Sequence, residues 1–364
     1  MSESPKEMRE SPQESGKNPN ESGKNPNELG DNAKELGENA KESGEEASVD
    51  SAITETDLHS FSEDVTYAGV TSFIKRPYRK DLEGIDAVIL GVPFDTATTN
   101  RPGARFGPRS IRAASSLLSY EEHVYGWDFH PITEMAIVDH GDLPFDFSRP
   151  AGVPAAIEAY AKKIINAGPM LLALGGDHFI SYPLLKAHAE RHGTPLSIIH
   201  FDAHSDTWED KNDDGVNHGT MFWHAAREGL VDPATSVQIG LRTTNLDTMG
   251  FNILDAPWVH RHGPDAVIAE TRRIVGDKKA YLTFDIDCLD PSYAPGTGTP
   301  SPGGLTTHQA FQILQGLSGL NIIGADVVEV SPPYDVAEIT ALAAAQLATN
   351  FLCLFARAPW RSAK

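Results

Sequence analysis

The stretch LSIIHFDAHSD, residues 196–206, changes abruptly from aliphatic to ionisable side chains. Its first half has the composition of a short buried parallel strand. Asp202, His204 and Asp206 follow at alternate positions, and alternate side chains of an extended chain point to the same side. Two carboxylates and an imidazole that converge in this way need a partner, and a divalent cation is a suitable one. Taken alone, the stretch also fits a solvated Asp-rich turn that contains an incidental histidine.

Polar side chains also end three other strand-like runs. LLALGGDH ends in Asp177 and His178, YLTFDID contains Asp285 and Asp287, and VVEV contains Glu329. The carboxyl ends of parallel strands meet at one edge of a sheet, so we expect these side chains to converge. A calcium loop of the EF-hand type is the alternative for the aspartates, but it requires a Gly and a Glu at offsets that this sequence lacks.

Two histidines and four aspartates are too many ligands for one closed zinc site. A mixed set rich in oxygen suits two divalent ions such as manganese, which share bridging carboxylates. The predicted ligands are His178, Asp202, His204, Asp206, Asp285 and Asp287.

The elements that must position these residues alternate between apolar strand-like runs and helical patterns. Strands are predicted at 87–92, 135–138, 170–174, 196–201, 237–239, 280–284 and 322–330. Helices are predicted at 154–167, 182–192, 221–229, 264–276 and 337–355. Such alternation predicts an α/β fold with a mainly parallel sheet that is covered by helices on both faces.

Composition limits the class of protein. The 364 residues are 40% hydrophobic, which is enough for one large α/β domain or two smaller ones. The net charge of −21 argues against a nucleic-acid partner and favours a cationic substrate. We expect no apolar run to reach the length of a membrane span. Cys288 and Cys353 lack metal-type spacing, so we expect no disulfide framework and a cytoplasmic location.

Residues 1–50 contain no aromatic side chain and are rich in Glu, Ser, Gly, Asn and Lys. A seven-residue motif recurs imperfectly there, as ESGKNPN, ESGKNPN, ELGDNAK, ELGENAK and ESGEE. Each copy carries Gly and the first two carry Pro, which disfavours a coiled coil. We predict a disordered acidic tail, with a docking helix as the alternative, followed by a catalytic domain at residues 51–364.

The motifs GGDH, DAHSD and FDIDCLDPSYAPGTGTP resemble the ureohydrolase family of arginases and agmatinases. FDTATTNRPGARFGPRSIR, NHGTMF and EVSPPYD extend the resemblance over residues 66–359. It implies a three-layer α/β/α sandwich in which two divalent ions activate water for attack on a guanidinium carbon. One ion would be held by His178, Asp202, Asp206 and Asp285, and the other by Asp202, His204, Asp285 and Asp287.

The resemblance also implies roles for residues around the metals. His218 would shuttle a proton and contact substrate, Glu329 would face the guanidinium group, and Thr299 would line the site. Asp206 would contribute to catalysis as well as to metal binding. Without the resemblance, His218 would be interpreted as a surface-loop histidine. Trp208, close to the ligands, favours a compact or alkylated cation through cation–π contact.

The loop TWEDKNDDG after Asp206 differs from the loop with which arginases grip the amino-acid end of arginine. We therefore expect a small guanidino substrate, such as guanidine, an alkylguanidine or biguanide, or guanidinobutyrate, cleaved to urea or a substituted urea plus an amine or ammonia. Agmatine, giving putrescine and urea, is the alternative. Its primary amine would need an acceptor, and the candidates are Glu209, Asp210, Asp213 and Asp214.

The resemblance leaves manganese and nickel as candidate metals and implies a homo- or hetero-oligomer, a trimer or hexamer. Two other classes of function remain open. One is a non-catalytic subunit of a hetero-oligomer, which would normally have lost ligands. The other is a zinc amide hydrolase of the deacetylase kind, which uses fewer metal ligands.

Overall fold

Eight parallel strands form one sheet in the computed structural model, which describes residues 50–211 and 215–359. Their order in the sheet is β2-β1-β3-β8-β7-β4-β5-β6. The predicted tail at residues 1–50 lies outside the described residues, apart from Asp50. The strands are β1 Ala87–Val92, β2 Ile137–Asp142, β3 Met170–Gly175, β4 Ser197–Phe201, β5 Val237–Ile239, β6 Asn252–Leu254, β7 Ala280–Asp285 and β8 Ile322–Val328.

Helices connect most of the strands, since neighbouring parallel strands need a crossover connection, whereas β5 and β6 are joined by a segment without a helix. Short 3₁₀ turns precede or follow several of them. The α-helices are α1 Ser51–Thr54, α2 Gly107–Ser115, α3 Pro131–Glu134, α4 Val153–Ala167, α5 Ser181–His192, α6 Met221–Arg227, α7 Ala256–Val275, α8 Thr307–Gly316 and α9 Ile339–Ala356.

Alternate side chains of each central strand enter different cores. In β1, Ala87 and Ile89 join one buried cluster, whereas Val88 and Leu90 join another. The first cluster is shared with α2, α7, α8 and α9, and the second with α4, α5 and α6. The sheet is thus buried on both faces, and the predicted three-layer α/β/α sandwich is confirmed.

Helix α9 is 18 residues long with a mean hydropathy of 1.7, so by length and composition it could cross a membrane. The expectation that no apolar run reaches that length is wrong here. However, 83% of the helix is buried within the protein, where it packs against β8, α2 and α8. A helix that is apolar all round is typical of a core position.

Several predicted boundaries were wrong. Strand β2 begins at Ile137 rather than 135 and continues through His140 to Asp142. Helix α7 begins at Ala256, before the predicted start at 264, and has a kink at Gly263 with φ 78°. Strand β6 and helices α2 and α8 were not predicted.

Strands β3, β8, β7 and β4 are consecutive neighbours at the centre of the sheet. Each of the four predicted polar motifs follows one of these strands. In register, Leu174 pairs with Val327, and Phe284 pairs with both Val327 and Phe201. The four chain segments therefore leave the sheet side by side, at the edge where open α/β sheets bind ligands.

Candidate metal centre and active site

His178, directly after β3, lies at the centre of a group of carboxylates. Its Nδ1 is 3.0 Å from Asp202 Oδ2, 3.0 Å from Asp206 Oδ2 and 3.3 Å from Asp285 Oδ2. The imidazole is fully buried. Burial alone would lower the pKa of His178, but the carboxylates of Asp202, Asp206 and Asp285 close to Nδ1 outweigh it and raise the pKa well above its usual value. Three carboxylate oxygens this close to Nδ1 favour a cation among them.

The other ring nitrogen of His178 shows where a cation would bind. Nε2 lies 2.8 Å from Thr283 Oγ1, whose hydroxyl hydrogen-bonds Asp326. Ser181 and Tyr281 also donate to Asp326 Oδ2, at 2.6 and 2.8 Å. With an ion bound, the ring would be neutral, Nε2–H would donate to Thr283 and the Nδ1 lone pair would face the ion. Nδ1 makes no hydrogen bond of good geometry within the described residues, as expected for a metal ligand.

A second group adjoins the first through Asp202. His204 Nδ1 lies 3.3 Å from Asp202 Oδ1 and 3.1 Å from Asp287 Oδ2. Asp202 thus presents Oδ2 to His178 and Oδ1 to His204. Asp285 is tied to the second group because its Oδ1 accepts the backbone N–H of Asp287 at 2.8 Å. The structure brings all six predicted ligands together in two adjoining groups.

The carboxylates of this cluster repel one another. Burial, together with the charges of Asp287 and Asp202, raises the pKa of Asp285 well above its usual value, and burial and Asp202 raise the pKa of Asp287. Burial alone would lower the pKa of His204, yet Asp287 and Asp202 raise it to about 12. Four ligand carboxylates carry a formal charge that two divalent cations would balance. The donor set and the charge both fit a binuclear centre.

His200 is a neighbour of the cluster that the sequence analysis did not identify. Its Nε2 is 2.7 Å from Asp202 Oδ2. The side-chain amide of Gln238 donates to His200 Nδ1 at 3.0 Å and to the carbonyl of Ser205 at 2.7 Å. With this partner, His200 donates Nε2–H to Asp202 and so orients that carboxylate; it also lies among the side chains that are close enough to share an ion. Its position two residues before Asp202 on one strand, on the same side, was the available signal.

Glu329 is fully buried beside the cluster and has a left-handed backbone, with φ 63°. Its Oε1 accepts the backbone N–H of His178 and the Nδ1–H of His218, both at 2.8 Å. Its Oε2 is buried without a hydrogen-bond partner in the part of the chain that the structure describes. A buried carboxylate oxygen that lacks a donor in the protein is suited to accept one from a ligand.

His218 is only 8% exposed, so its interpretation as a surface-loop histidine is wrong. Its Nε2 lies 3.1 Å from the backbone N and 2.8 Å from Oγ1 of Thr99. The N–H can donate to the neutral ring, and the hydroxyl can accept from the protonated one. Burial lowers the pKa of His218, but the hydrogen bond and charge of Glu329, with Asp206 and Asp177, raise it to about 9.

A cavity of about 370 Å³ opens beside both groups. Trp208 lies on one wall, with its ring centroid 6.4 Å from that of His204. Thr299 lies on another and donates from Oγ1 to Asp287 Oδ2 at 3.2 Å. The lining residues are Thr99, His204, Asp206, Trp208, Glu209, Asn217, His218, Gly219, Thr220, Asp285 and Thr299.

Comparison with known proteins agrees with this geometry. A model of the arginase family matches residues 85–353. An agmatinase from Chromobacterium violaceum is 54% identical over 305 residues, which cover 84% of this chain and 94% of that protein. The crystal structure of a hypothetical agmatinase from Burkholderia thailandensis is 53% identical with a TM-score of 0.84, covering 86% of this chain and 99% of the other. Proclavaminate amidino hydrolase from Streptomyces clavuligerus is 37% identical with a TM-score of 0.75, covering 81% and 100%.

An α/β/α sandwich with a parallel sheet and adjoining His and Asp groups at its strand ends suits a metal-dependent hydrolase. The chain belongs to the arginase family of ureohydrolases, enzymes that act on the C–N bonds of linear amidines with a binuclear metal centre. The resemblance predicted from the sequence motifs is confirmed, and the family assignment argues against the deacetylase alternative.

Proposed function

We propose that this enzyme hydrolyses agmatine to putrescine and urea. The main support is its 54% identity to a protein named agmatinase, over 94% of that protein's length. The sequence analysis favoured guanidine, an alkylguanidine or biguanide, or guanidinobutyrate as substrate and kept agmatine as the alternative. The comparisons favour that alternative.

We assign the guanidinium end of agmatine to Glu329, which is not itself in the cavity lining but contacts His218, which is. The unpartnered Oε2 of Glu329 is buried, while Oε1 is held by His178 N–H and His218. A fixed carboxylate oxygen accepts a charge-assisted hydrogen bond from a guanidinium N–H in a defined direction. The positive charge of the substrate also balances the negative charge of the buried carboxylate.

The amine end of agmatine fits Glu209, which lines the cavity and is exposed to solvent. Asp210 is committed elsewhere, since its Oδ2 accepts from Gly215 N–H at 2.9 Å and from His224 Nε2 at 3.0 Å. Asp213 and Asp214 lie outside the described residues. A carboxylate at the mouth favours a primary ammonium and disfavours the carboxylate of guanidinobutyrate.

The residues around the cluster have distinct roles in the proposed reaction. Divalent ions held by the six ligands would lower the pKa of water in the site, which guanidinium hydrolysis requires at neutral pH. Glu329 orients the planar substrate, Asp206 is one of the six ligands, and Thr299 donates a hydrogen bond to the ligand Asp287. With a pKa of about 9, His218 carries a proton at neutral pH that it can deliver to the leaving nitrogen. Trp208 covers the cation from one side.

A substrate series tests the proposal. We expect kcat/KM for urea release to be highest with agmatine, and at least tenfold lower with guanidinobutyrate, guanidine, a dimethylated guanidine, a biguanide and arginine. Each compound is measured with the enzyme loaded with Mn²⁺ and, separately, with Ni²⁺. A higher value for guanidine or guanidinobutyrate would contradict the proposal. No urea from any compound with either metal would instead support a non-catalytic subunit.

The remaining features are proposed together with this activity. Two ions per chain are expected, Mn²⁺ rather than Ni²⁺, because oxygen ligands outnumber nitrogen ligands. A cytoplasmic location agrees with two buried cysteines, Cys288 and Cys353, that form no disulfide. A trimer or hexamer remains the proposed assembly.

A further inference from the structure

Arg242 connects the two loops that carry the His204 and Asp287 ligands. It follows β5, and its backbone N–H donates to the carbonyl of Ala203, between Asp202 and His204, at 3.0 Å. Thr243 donates to the same carbonyl from N at 3.2 Å and from Oγ1 at 3.0 Å. The backbone of the first loop is therefore fixed to the Arg242 segment.

The guanidinium of Arg242 fixes the second loop. Within the described residues it donates six hydrogen bonds, and every acceptor is a backbone carbonyl. Nη2 donates to Asp287, the carbonyl of a predicted metal ligand. The other acceptors are Ser301 from Nε at 2.9 Å and Nη2 at 2.7 Å, Gly240 from Nη1 at 3.0 Å, Cys288 from Nη1 at 3.2 Å and Leu289 from Nη2 at 3.2 Å.

The two loops also contact each other next to the ligands. Ala203 N–H donates to Asp287 Oδ1 at 3.1 Å, and Thr299 Oγ1 donates to Asp287 Oδ2 at 3.2 Å. A displacement of the Asp287 backbone would therefore change the distance between Asp287 Oδ2 and His204 Nδ1, now 3.1 Å. The contact of His178 to Asp206 does not pass through Arg242.

We propose that Arg242 is a positioning residue for one half of the metal centre, the half formed by His204 and Asp287. The inference rests on the proposed binuclear centre, but not on the identity of the substrate. Arginine suits this position because its planar guanidinium has five N–H donors in a fixed geometry, whereas lysine has three on a flexible stem. Groups that orient ligands without binding metal commonly change metal affinity 10- to 100-fold.

Titration of metal-free full-length protein with Mn²⁺, followed by electron paramagnetic resonance, tests the proposal. The signal of unbound Mn²⁺ gives its free concentration and hence the dissociation constant of each ion. The spin-coupled signal shows that two ions are bound next to each other. In Arg242→Gln we expect one of the two ions, the one held by His204 and Asp287, to bind at least tenfold more weakly. The dissociation constant of the other ion should change less than threefold, and the coupled signal should weaken. Arg242→Lys should give an intermediate effect.

Arg272→Gln is the matched control, because Arg272 also donates to backbone carbonyls, those of Gly316 and Ser318, away from the site. It should leave both affinities unchanged. Circular dichroism identifies a variant that fails to fold, and the lysine variant then provides the test. If the affinity for both ions fell equally, or for neither, the proposed role of Arg242 would be wrong, while the binuclear centre would stand. A limit of one ion in the unaltered enzyme would overturn the binuclear centre as well.

Discussion

At the residue scale, Glu329 shows how a single side chain can be fully fixed yet keep one free acceptor. Its left-handed backbone is unusual for a residue other than Gly, Asn or Asp, and costs free energy. Its backbone N–H donates to Gly176 at 2.8 Å, and Oε1 accepts from His178 and His218. These contacts hold Oε2 in a constant direction beside the ligand groups.

Glu329→Gln should lower kcat/KM for agmatine at least 100-fold while metal content stays the same. The amide oxygen can keep the two hydrogen bonds of Oε1, so the local structure is retained. The amide nitrogen then replaces Oε2 and presents N–H groups to the guanidinium N–H groups, without a negative charge. Steady-state kinetics and elemental analysis check both parts. Glu83→Gln, at an exposed position, is the control and should leave kcat/KM unchanged. If Glu329→Gln retained activity within tenfold of the unaltered enzyme, the assignment of Glu329 would be wrong.

Glu209→Gln should raise KM for agmatine about 5- to 20-fold with little change in kcat. The mutation removes a charge that binds the remote ammonium equally in the ground state and the transition state. Guanidine has no remote amine, so its kinetics should not change. Added salt should weaken agmatine binding less in the variant than in the unaltered enzyme, because the pair is exposed to solvent. An equal effect on guanidine would indicate a structural disturbance instead.

The convergence of the proposed metal ligands could be predicted from the sequence, because those spaced by two residues share one side of an extended chain and all follow strands. The residues that orient them could not. Thr283 and Asp326 lie inside apolar strands, and their partners are tens to more than one hundred residues away in sequence. Thr99 contacts His218 through a loop that has no periodicity. Such pairs depend on which strands become neighbours, and local patterns carry no information on that order.

At the element scale, long apolar runs were predicted well and short or polar ones were not. Strand β1 has the predicted ends because its six-residue apolar run lies between Asp86 and Pro93. Strand β5 also has the predicted ends, although its middle residue is Gln238. Strand β6 has three residues, two of them half-buried, at the edge of the sheet. Helix α2 carries arginines, including Arg112, which pairs with Asp139 and Asp142 rather than with water. Its tertiary partners, not its pattern, stabilise it.

Helix α5 carries a buried histidine that makes stability depend on pH. His188 is 1% exposed, and neither ring nitrogen has a hydrogen-bond partner among residues 50–211 and 215–359. Its ring lies against Tyr281, with centroids 5.1 Å apart, and covers Gly324. Burial, with His192 nearby, lowers the pKa of His188 to about 3. The ring therefore stays neutral in the folded protein at pH values where it is charged in the unfolded chain.

His188→Phe should reduce the loss of stability on acidification. Between the unfolded pKa of about 6.5 and the folded pKa of about 3, the unfolded chain binds more protons, so the free energy of unfolding falls as pH falls. From pH 7 to pH 5 this histidine accounts for about 2 kcal/mol. Urea unfolding of both metal-free proteins at the two pH values measures the difference. Identical pH dependence would show that His188 is not neutral when folded.

At the scale of the whole molecule, the metal centre concentrates negative charge inside an acidic protein. Four buried aspartates of the cluster are held close together. In the absence of metal, protons must reduce their repulsion, as the raised pKa values of Asp285 and Asp287 indicate. Bound cations would replace those protons. Metal binding should therefore release protons and become tighter as pH rises.

Removal of metal should lower Tm, and the difference between the metal-loaded and metal-free protein should be larger at pH 8.5 than at pH 6. Carboxyls with a raised folded pKa stabilise the folded state only while protonated, so the metal-free protein loses stability as pH rises. At a free concentration 100 times its Kd, each ion adds about 2.7 kcal/mol to the free energy of unfolding. Thermal unfolding with chelator or with excess Mn²⁺ gives both values. An equal difference at the two pH values would contradict this account.

Deletion of residues 1–48 should leave kcat within about twofold and Tm nearly unchanged. That segment contains no predicted site residue, has no aromatic side chain and has too few aliphatic ones for a core. The contacts of the described chain begin just after it, where Asp50 Oδ1 accepts Val70 N–H at 2.6 Å and Ser51 Oγ donates to Asp64 at 2.6 Å. A deletion of residues 1–64 is the matched control. It removes the Ser60 carbonyl that accepts from the buried Arg76 at 2.8 Å, so it should lower Tm clearly. A large loss of kcat in the shorter deletion would show that the repeats contribute to catalysis.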